Sequence, residues 1–440
     1  MVRIKQEREI PVVAGYDVVV CGGGPGGIIA ALASAREGAK TCIIERYGFL
    51  GGMATAGLVA PISVFNYNGR RIIDGLPWEF VERLAAIGGA REEKPLGNIT
   101  FSPEKYKLVA QRMLKEAGVD IYFHSYITGA EYEKDPDGNS RIRYVIIDNK
   151  NGAEAIAGRY FIDATGDSDL AAMAGVPMQP VPEQLQPASL IFMLSGVDTD
   201  ALPMIRHSQQ GVNYHDLKIR DLFTKLREEG TEDVPMFGGP WYCGILADGI
   251  VLVNMTRHFA DMTDNRVAGD MECLLRENAH RYTELLRKYI PAFKNAELIA
   301  TAPMTGIRET RRILGAHTLT GEEYLEAIDF PDSVARGCHP VDIHSANSTS
   351  QRCQFMKDAG FVPYRSLYAP SFPNLLVAGR NFSADEVASA SVRVQASVMG
   401  LGQAAGTAAA IAAKGNIGVD KVNTDTLRAR LLELGANLSN

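Results

Sequence analysis

Short β-branched runs alternate along this chain with longer stretches of small and apolar residues. Asp17-Val18-Val19-Val20-Cys21 is apolar at consecutive positions, the pattern of a strand buried on both faces of a parallel sheet. It runs into Gly22-Gly23-Gly24-Pro25-Gly26-Gly27, then a helical stretch Ile28–Arg36 that Gly38 ends, then a second strand Lys40–Ile44 that finishes on Glu45. Ser102 introduces a helix over Pro103–Ala117, and Ile121, Tyr144–Ile147 and Tyr160–Ala164 mark further strands. Asp135-Pro136-Asp137-Gly138-Asn139 is a hairpin turn signal. After the proline-rich linker Val176–Pro187, Ala188–Leu194 and Gly249–Met255 read as strands of an antiparallel sheet, and Asp216–Glu229 and Arg266–Tyr289 as helices. Asn374–Asn381 repeats the strand-to-glycine design of Tyr160–Asp167, and Met399–Gly406 opens a small-residue helix that reaches Lys414.

The pattern predicts an α/β protein. A Rossmann-like dinucleotide-binding domain is assembled from residues 1–180 and 351–440. An α+β substrate or cap domain on an antiparallel sheet is inserted over residues 181–350. Neither internal repeats nor low-complexity tracts interrupt this organisation.

Composition narrows the function. A formal net charge of -7 over 440 residues argues against nucleic acid or an acidic membrane as the main partner. The six cysteines contain no CxxC pair, so a zinc site or a dense disulfide frame is not expected. The N-terminal MVRIKQEREIPVV lacks the apolar core of a signal peptide, and Val394–Ala413 reads as too weakly hydrophobic to span a bilayer. A cytoplasmic location is the expectation.

The glycine run carries the strongest local chemistry. Gly22 permits the tight strand-to-helix turn, Gly24 lets backbone approach a pyrophosphate, and Gly27 lets the helix lie close on the strand, with small Ala31 one turn later. The helix N-terminus then offers free N–H groups and a positive dipole end to phosphate. Glu45 suits a ribose diol and disfavours a 2′-phosphate. Strand, turn, helix, strand and acid in this order are specific for a dinucleotide, without separating FAD from NAD. The following Gly51-Gly52-Met53-Ala54-Thr55 favours the longer cofactor, since double glycine lets backbone approach it beyond the pyrophosphate. A helix N-terminus at Gly400–Gln403 is suited to negative charge on a flavin's pyrimidine edge.

The set GxGxxG…Glu, GGMAT, DATGD, GIRETRR, NLLVAGRN and GLGQAAGTAAA, in this order over roughly Tyr16 to Ala413, resembles the FAD-dependent oxidoreductase family of the glutathione-reductase/fumarate-reductase superfold. The resemblance implies noncovalent FAD in an extended pose, its isoalloxazine between the nucleotide and substrate domains. The residues expected at the cofactor are Gly22, Gly24, Pro25, Gly26, Gly27, Glu45, Arg46, Gly51, Gly52, Met53, Thr165, Gly166, Asp167, Gly379, Arg380, Gly400, Gly402 and Gln403. The leading activity is a dehydrogenase or reductase that passes hydride between a small polar substrate and the flavin, with a further electron donor or acceptor. A flavin monooxygenase is the first alternative, although Gly379-Arg380 replaces its usual Gly-Asp pair. An electron-transfer subunit without its own substrate site is the second. A disulfide reductase would need a CxxxxC pair and a second GxGxxG. A homo-oligomer is compatible with the sequence.

Catalytic candidates cluster late in the chain. Arg308 opens Arg308-Glu309-Thr310-Arg311-Arg312, which reads either as an anion clamp at the flavin or as an Arg–Glu network holding domains together. In Cys338-His339-Pro340-Val341-Asp342-Ile343-His344, Asp342 and His344 would share one face of a strand. His344, with a pKa near 6–7, is the expected proton acceptor. His339 departs from the aromatic residue the family more often shows there, and no fourth ligand accompanies Cys338, His339 and His344, so a metal is not expected. Arg257, Tyr364 and Arg393 resemble family positions that face the active-site cleft. Trp78, Trp241 and Tyr242 read as core aromatics before pocket ones.

Overall fold

The continuous apolar run before the glycine turn becomes the centre of a mixed sheet. In the computed structural model, which describes residues 7–93, 97–135, 138–202, 217–244, 247–345 and 348–439, the strand Val12–Cys21 lies between Thr41–Ile44 and Gly152–Asp163. Asp120–Tyr122 pairs outside Thr41–Ile44, and Leu375–Val377 pairs with Phe161–Asp163, all in parallel. The other half of Gly152–Asp163 turns antiparallel into Ser140–Asn149, which pairs with Tyr126–Lys134. The hairpin turn expected at 135–139 joins these last two strands, with Pro136 and Asp137 outside the described residues. Val18, Val19 and Val20 are fully buried, as a strand covered on both faces requires.

The first helix spans Pro25–Arg36, three residues earlier than its apolar pattern suggests, because Pro25 occupies the first turn where its missing N–H costs nothing. The long small-residue helix also begins early, at Gln395, and runs to Gly415. No proline or polar cap separates it from the preceding short helix Glu386–Val392, so Gly400 is not its opening residue but an interior one. This helix is long and apolar enough to cross a membrane, contrary to the sequence expectation, yet 89% of its apolar stretch is buried inside the molecule. It lies on the first helix through its glycines. A Cβ on Gly402 would sit 2.2 Å from the carbonyl oxygen of Gly26, and one on Gly406 2.2 Å from that of Ala30.

Residues between the two parts of this sheet build a second one. Its antiparallel order is Phe237–Gly244, Val251–Thr256, Phe192–Ser195, Glu297–Thr301. The helices Leu217–Glu228 and Asn265–Tyr289 belong to the same body, with Phe192, Phe223, Phe237, Met255 and Tyr282 in a separate core. Asp264 caps the longer helix by accepting from the N–H groups of Arg266 and Val267. The sequence expectation for the other helix began at Asp216, which lies outside the described residues. Two short antiparallel strand pairs follow, Ser333–Gly337 with Gly360–Pro363 and, between them in the chain, Val341–His344 with Gln351–Gln354.

Candidate active site

Gly22 follows the central strand with φ +106, a conformation open to glycine, and a Cβ there would lie 2.4 Å from the Ala164 carbonyl oxygen. Gly24 caps the first helix without a side-chain hydrogen bond, and nothing lies within 4 Å of where its Cβ would stand. The first-turn N–H groups are therefore left to a ligand. Glu45 closes the turn from the next strand, its carboxylate accepting from the N–H of Gly23 at 2.8 Å and of Tyr47 at 2.9 Å. Burial raises its pKa and these two N–H groups oppose the rise.

These residues open onto a cavity of about 350 Å³. Of the residues expected at the cofactor, Gly22, Gly24, Pro25, Gly26, Glu45, Arg46, Gly52 and Met53 line it. Thr165, Gly166 and Asp167 line it from the DATGD turn, and Gly379 and Arg380 from the later strand. Arg380 ion-pairs with Asp167, which also accepts from the Thr310 hydroxyl at 2.5 Å. Five expected residues lie off the cavity. Gly27 abuts its own strand, where a Cβ would meet the Gly22 carbonyl oxygen at 1.9 Å, and Gly51 donates its N–H to the Gly23 carbonyl at 2.8 Å. Because the last helix starts at Gln395, its cavity-facing end is Val394, Gln395 and Val398. Gly400 stands beside Ala335, Gly402 against the first helix, and the Gln403 side chain accepts from Leu76 N–H at 3.1 Å.

A smaller chamber of about 160 Å³ shares part of its lining with this cavity. Asn254, His339, Asp342 and His344 belong to both linings, and Trp241, Tyr242, Gln351 and Cys353 line the smaller one alone. Asp342 and His344 do share a face of the strand Val341–His344. His344 Nε2–H donates to Asp342 Oδ2 at 2.9 Å, and the Arg257 guanidinium, which can only donate, reaches His344 Nδ1 at 2.7 Å. Both ring nitrogens are engaged, so this arrangement leaves no lone pair for a substrate proton. Burial lowers the His344 pKa to about 3, with Arg308 and Arg257 adding to the effect and Asp342 opposing it. The expectation of a base near 6–7 is corrected accordingly. Burial raises the pKa of Asp342, but His344, Arg393 and His339 hold its carboxyl well below the usual carboxylate range.

The arginine-rich motif divides its work. Arg308 lines the larger cavity and donates to the Pro187 carbonyl at 2.6 Å and the Ser189 hydroxyl at 2.8 Å. Glu309 and Arg312 form a buried ion pair at 2.5 Å, and Arg311 pairs with Asp169. Arg393 lines the cavity and donates to the Asp342 carbonyl at 2.8 Å. Arg257 sits behind His344 and lines neither chamber, donating also to the carbonyls of Ser348 and Ser350. Tyr364 is buried away from both, its hydroxyl donating to the Val419 carbonyl at 2.8 Å. Trp78 packs on Phe65 in the core, whereas Trp241 meets His344 edge-on at 5.4 Å between centroids. Asn254 and Ser189 also line the larger cavity, without belonging to any of the motifs. Asn254, the one amide in Val251–Thr256, could have been found as the polar interruption of an apolar strand.

FAD fits these residues. An uncapped helix N-terminus, an acid following the adjoining strand and buried polar atoms without partners among the described residues, including Arg380 Nε and Asn254 Oδ1, surround one cavity. Fold and site together define a dinucleotide-binding flavoprotein. Residues 17–431 match the model of the FAD dependent oxidoreductase family, and the chain belongs to that family. It is an FAD-dependent oxidoreductase, with FAD as its cofactor. A 45-residue stretch is 53% identical to dihydrolipoyl dehydrogenase from Trypanosoma brucei brucei, covering 10% of this chain and 9% of that relative. The solved flavin-dependent brominase Bmp2 is similar with a TM-score of 0.50 at 15% identity, over 95% of this chain and 84% of that one. A geranylgeranyl bacteriochlorophyll reductase-like protein from Thermoplasma acidophilum is similar with a TM-score of 0.48 at 14% identity, over 96% of this chain and 84% of that one. At such identities the likeness is one of fold alone.

Two outcomes follow from the geometry. Glu45→Ala removes the carboxylate that orders the glycine turn, a charge-assisted interaction of about 1.5–3 kcal/mol. FAD affinity is expected to fall by roughly tenfold to a hundredfold, read by titrating apoprotein with FAD; an unchanged Kd would place Glu45 outside the site. The second outcome concerns acid. A His344 pKa of about 3 in the folded chain against 6.5 unfolded means that only the unfolded state gains a proton between those values. The contribution of His344 to stability is therefore present in full above pH 6.5 and is lost progressively as pH falls toward 3. His344 alone is expected to cost about 2 kcal/mol between pH 7 and pH 5 in urea unfolding, and His344→Gln should remove that share of the slope. An identical slope in the variant would contradict the buried neutral imidazole.

Proposed function

We propose that the protein exchanges hydride between a small polar substrate in the smaller chamber and FAD held noncovalently in the larger cavity. The carrying observation is the set of polar residues common to both chambers, Ser63, Asn254, His339, Asp342 and His344, which would place a substrate's reacting carbon beside the cofactor. When bound, FAD supplies a two-electron centre able to take or give hydride. The protein's own residues orient and enclose. Arg308 offers guanidinium N–H groups at the cavity, held in place through Pro187 and Ser189. Asn254 presents an amide whose oxygen has no hydrogen-bond partner among the described residues, suited to a substrate hydroxyl or amine. Arg257, His344 and Asp342 form a relay of hydrogen bonds that holds the Asp342 carboxylate in place. Trp241 and Tyr242 contribute apolar surface that limits the substrate's size.

In this reading residues 181–350 supply the substrate domain, and the fold is of the glutathione-reductase/fumarate-reductase type. The partner that exchanges electrons with FAD is a separate donor or acceptor. The test is anaerobic bleaching of the visible flavin absorbance against alcohols, sugars, amines and hydroxy acids. Bleaching by members of one class supports the proposal. A protein that no compound bleaches, but that NAD(P)H reduces and that then hydroxylates or halogenates an added aromatic in air, would instead be a monooxygenase or a halogenase; Bmp2, of similar fold, is a flavin-dependent brominase.

A further inference from the structure

We infer that His339 Nε2, rather than His344, accepts the proton that leaves the substrate, an assignment that rests on reading the smaller chamber as the substrate site. His339 lies between the strands Ser333–Gly337 and Val341–His344 and lines both chambers. Its backbone is held on two sides: the Ser391 hydroxyl donates to its carbonyl at 2.5 Å, and the following Pro340 confines it to extended conformations. The ring is fixed as well. Nδ1 lies 2.7 Å from the Pro340 carbonyl, which can only accept, so the proton resides on Nδ1 and Nε2 carries the lone pair. That nitrogen has no hydrogen-bond partner among the described residues.

The neighbouring candidates are occupied. His344 gives one nitrogen to Asp342 and the other to Arg257. The Asp342 carboxylate accepts from His344 through Oδ2 and from the Gln351 amide through Oδ1 at 2.5 Å, and the charges around it make it a weak base. Tyr364 is turned to Val419. The charged groups acting on His339 are Asp342, which raises its pKa, and Arg393, which lowers it; burial is the largest effect and keeps the ring neutral at pH 7. For an alcohol, the O–H bond breaks with its proton passing to Nε2, and the C–H bond breaks with its electron pair passing to bound FAD. A carbon–oxygen double bond forms, the substrate loses two electrons, FAD gains them, and His339 returns its proton to solvent.

The first test needs no substrate. Diethyl pyrocarbonate acylates neutral imidazole nitrogens that carry an accessible lone pair. Holoprotein treated at pH 7 and mapped by peptide mass spectrometry is expected to be modified at His339 and spared at His344. Acylation of His344 with His339 spared, or sparing of both, overturns the assignment. The second test uses whichever compound bleaches the flavin. His339→Gln should keep FAD and its spectrum yet slow bleaching by about a hundredfold, because a glutamine cannot take the proton. His344→Gln should slow it far less, and the reverse order overturns the inference. If no compound bleaches the holoprotein while His339 alone is acylated, the proposed function fails and the free imidazole stands. If bleaching proceeds but His339 is spared, the inference fails by itself.

Discussion

Gly402→Val is expected to yield a chain that neither retains FAD nor gives a cooperative unfolding transition. The first Cβ atom would stand 2.2 Å from the Gly26 carbonyl oxygen and 3.2 Å from the Ala30 nitrogen, both of them backbone atoms of the first helix. Neither helix can move aside cheaply. A Cβ on Gly26 would itself lie 2.3 Å from the Ala378 carbonyl oxygen, so that face of the first helix is already tight against the segment after the last sheet strand. A branched side chain forces the helices apart, and overpacking on this scale exceeds the usual 1–3 kcal/mol by about as much again. Because the first helix presents its N-terminus to the cavity, displacing it removes the phosphate site too. Gly400→Ala is the matched control: its Cβ would meet only the Ala335 methyl at 3.7 Å, an ordinary contact. Urea unfolding and FAD content of both variants decide the matter. A Gly402→Val protein that stays folded and yellow would mean the two helices are less closely packed.

Asp342→Ala is expected to cost about 3–5 kcal/mol of stability, the range for breaking a buried charge arrangement by removing one partner. Its carboxylate accepts from His344 and Gln351, and lies 4.0 Å from Arg393. It also offsets the buried Arg257 and Arg308, whose pKa values are already lowered, chiefly by burial. Removal leaves three guanidinium groups without that compensation and His344 Nε2–H without an acceptor. Asp342→Asn keeps one oxygen acceptor and should lose less. Equilibrium urea unfolding of the two variants measures the difference, and a loss under about 1 kcal/mol for Asp342→Ala would mean the carboxylate is effectively solvated.

The amino-acid sequence alone determined the strand, glycine turn, helix and acid of Asp17–Glu45, because each residue there answers a local demand: a tight turn at Gly22, an approach over Gly24, an acceptor at Glu45. The antiparallel strands and the two helices of 181–350 were legible for the same reason, through apolar runs and amphipathic periods. The start of the last helix was not, since its first turn at Gln395 has no side-chain cap, and so Gly400, Gly402 and Gln403, expected at its opening, lie inside it and off the cavity, Gly402 against the first helix and Gln403 bonded to Leu76. The hydrogen bonds of the site lay beyond sequence reading for a different reason. A histidine's role depends on what already holds its two nitrogens, and Arg257 lies 87 residues from His344. Tertiary structure alone brought Arg257, Asp342 and His344 together, engaged both nitrogens of His344, and left the adjacent His339 with the lone pair.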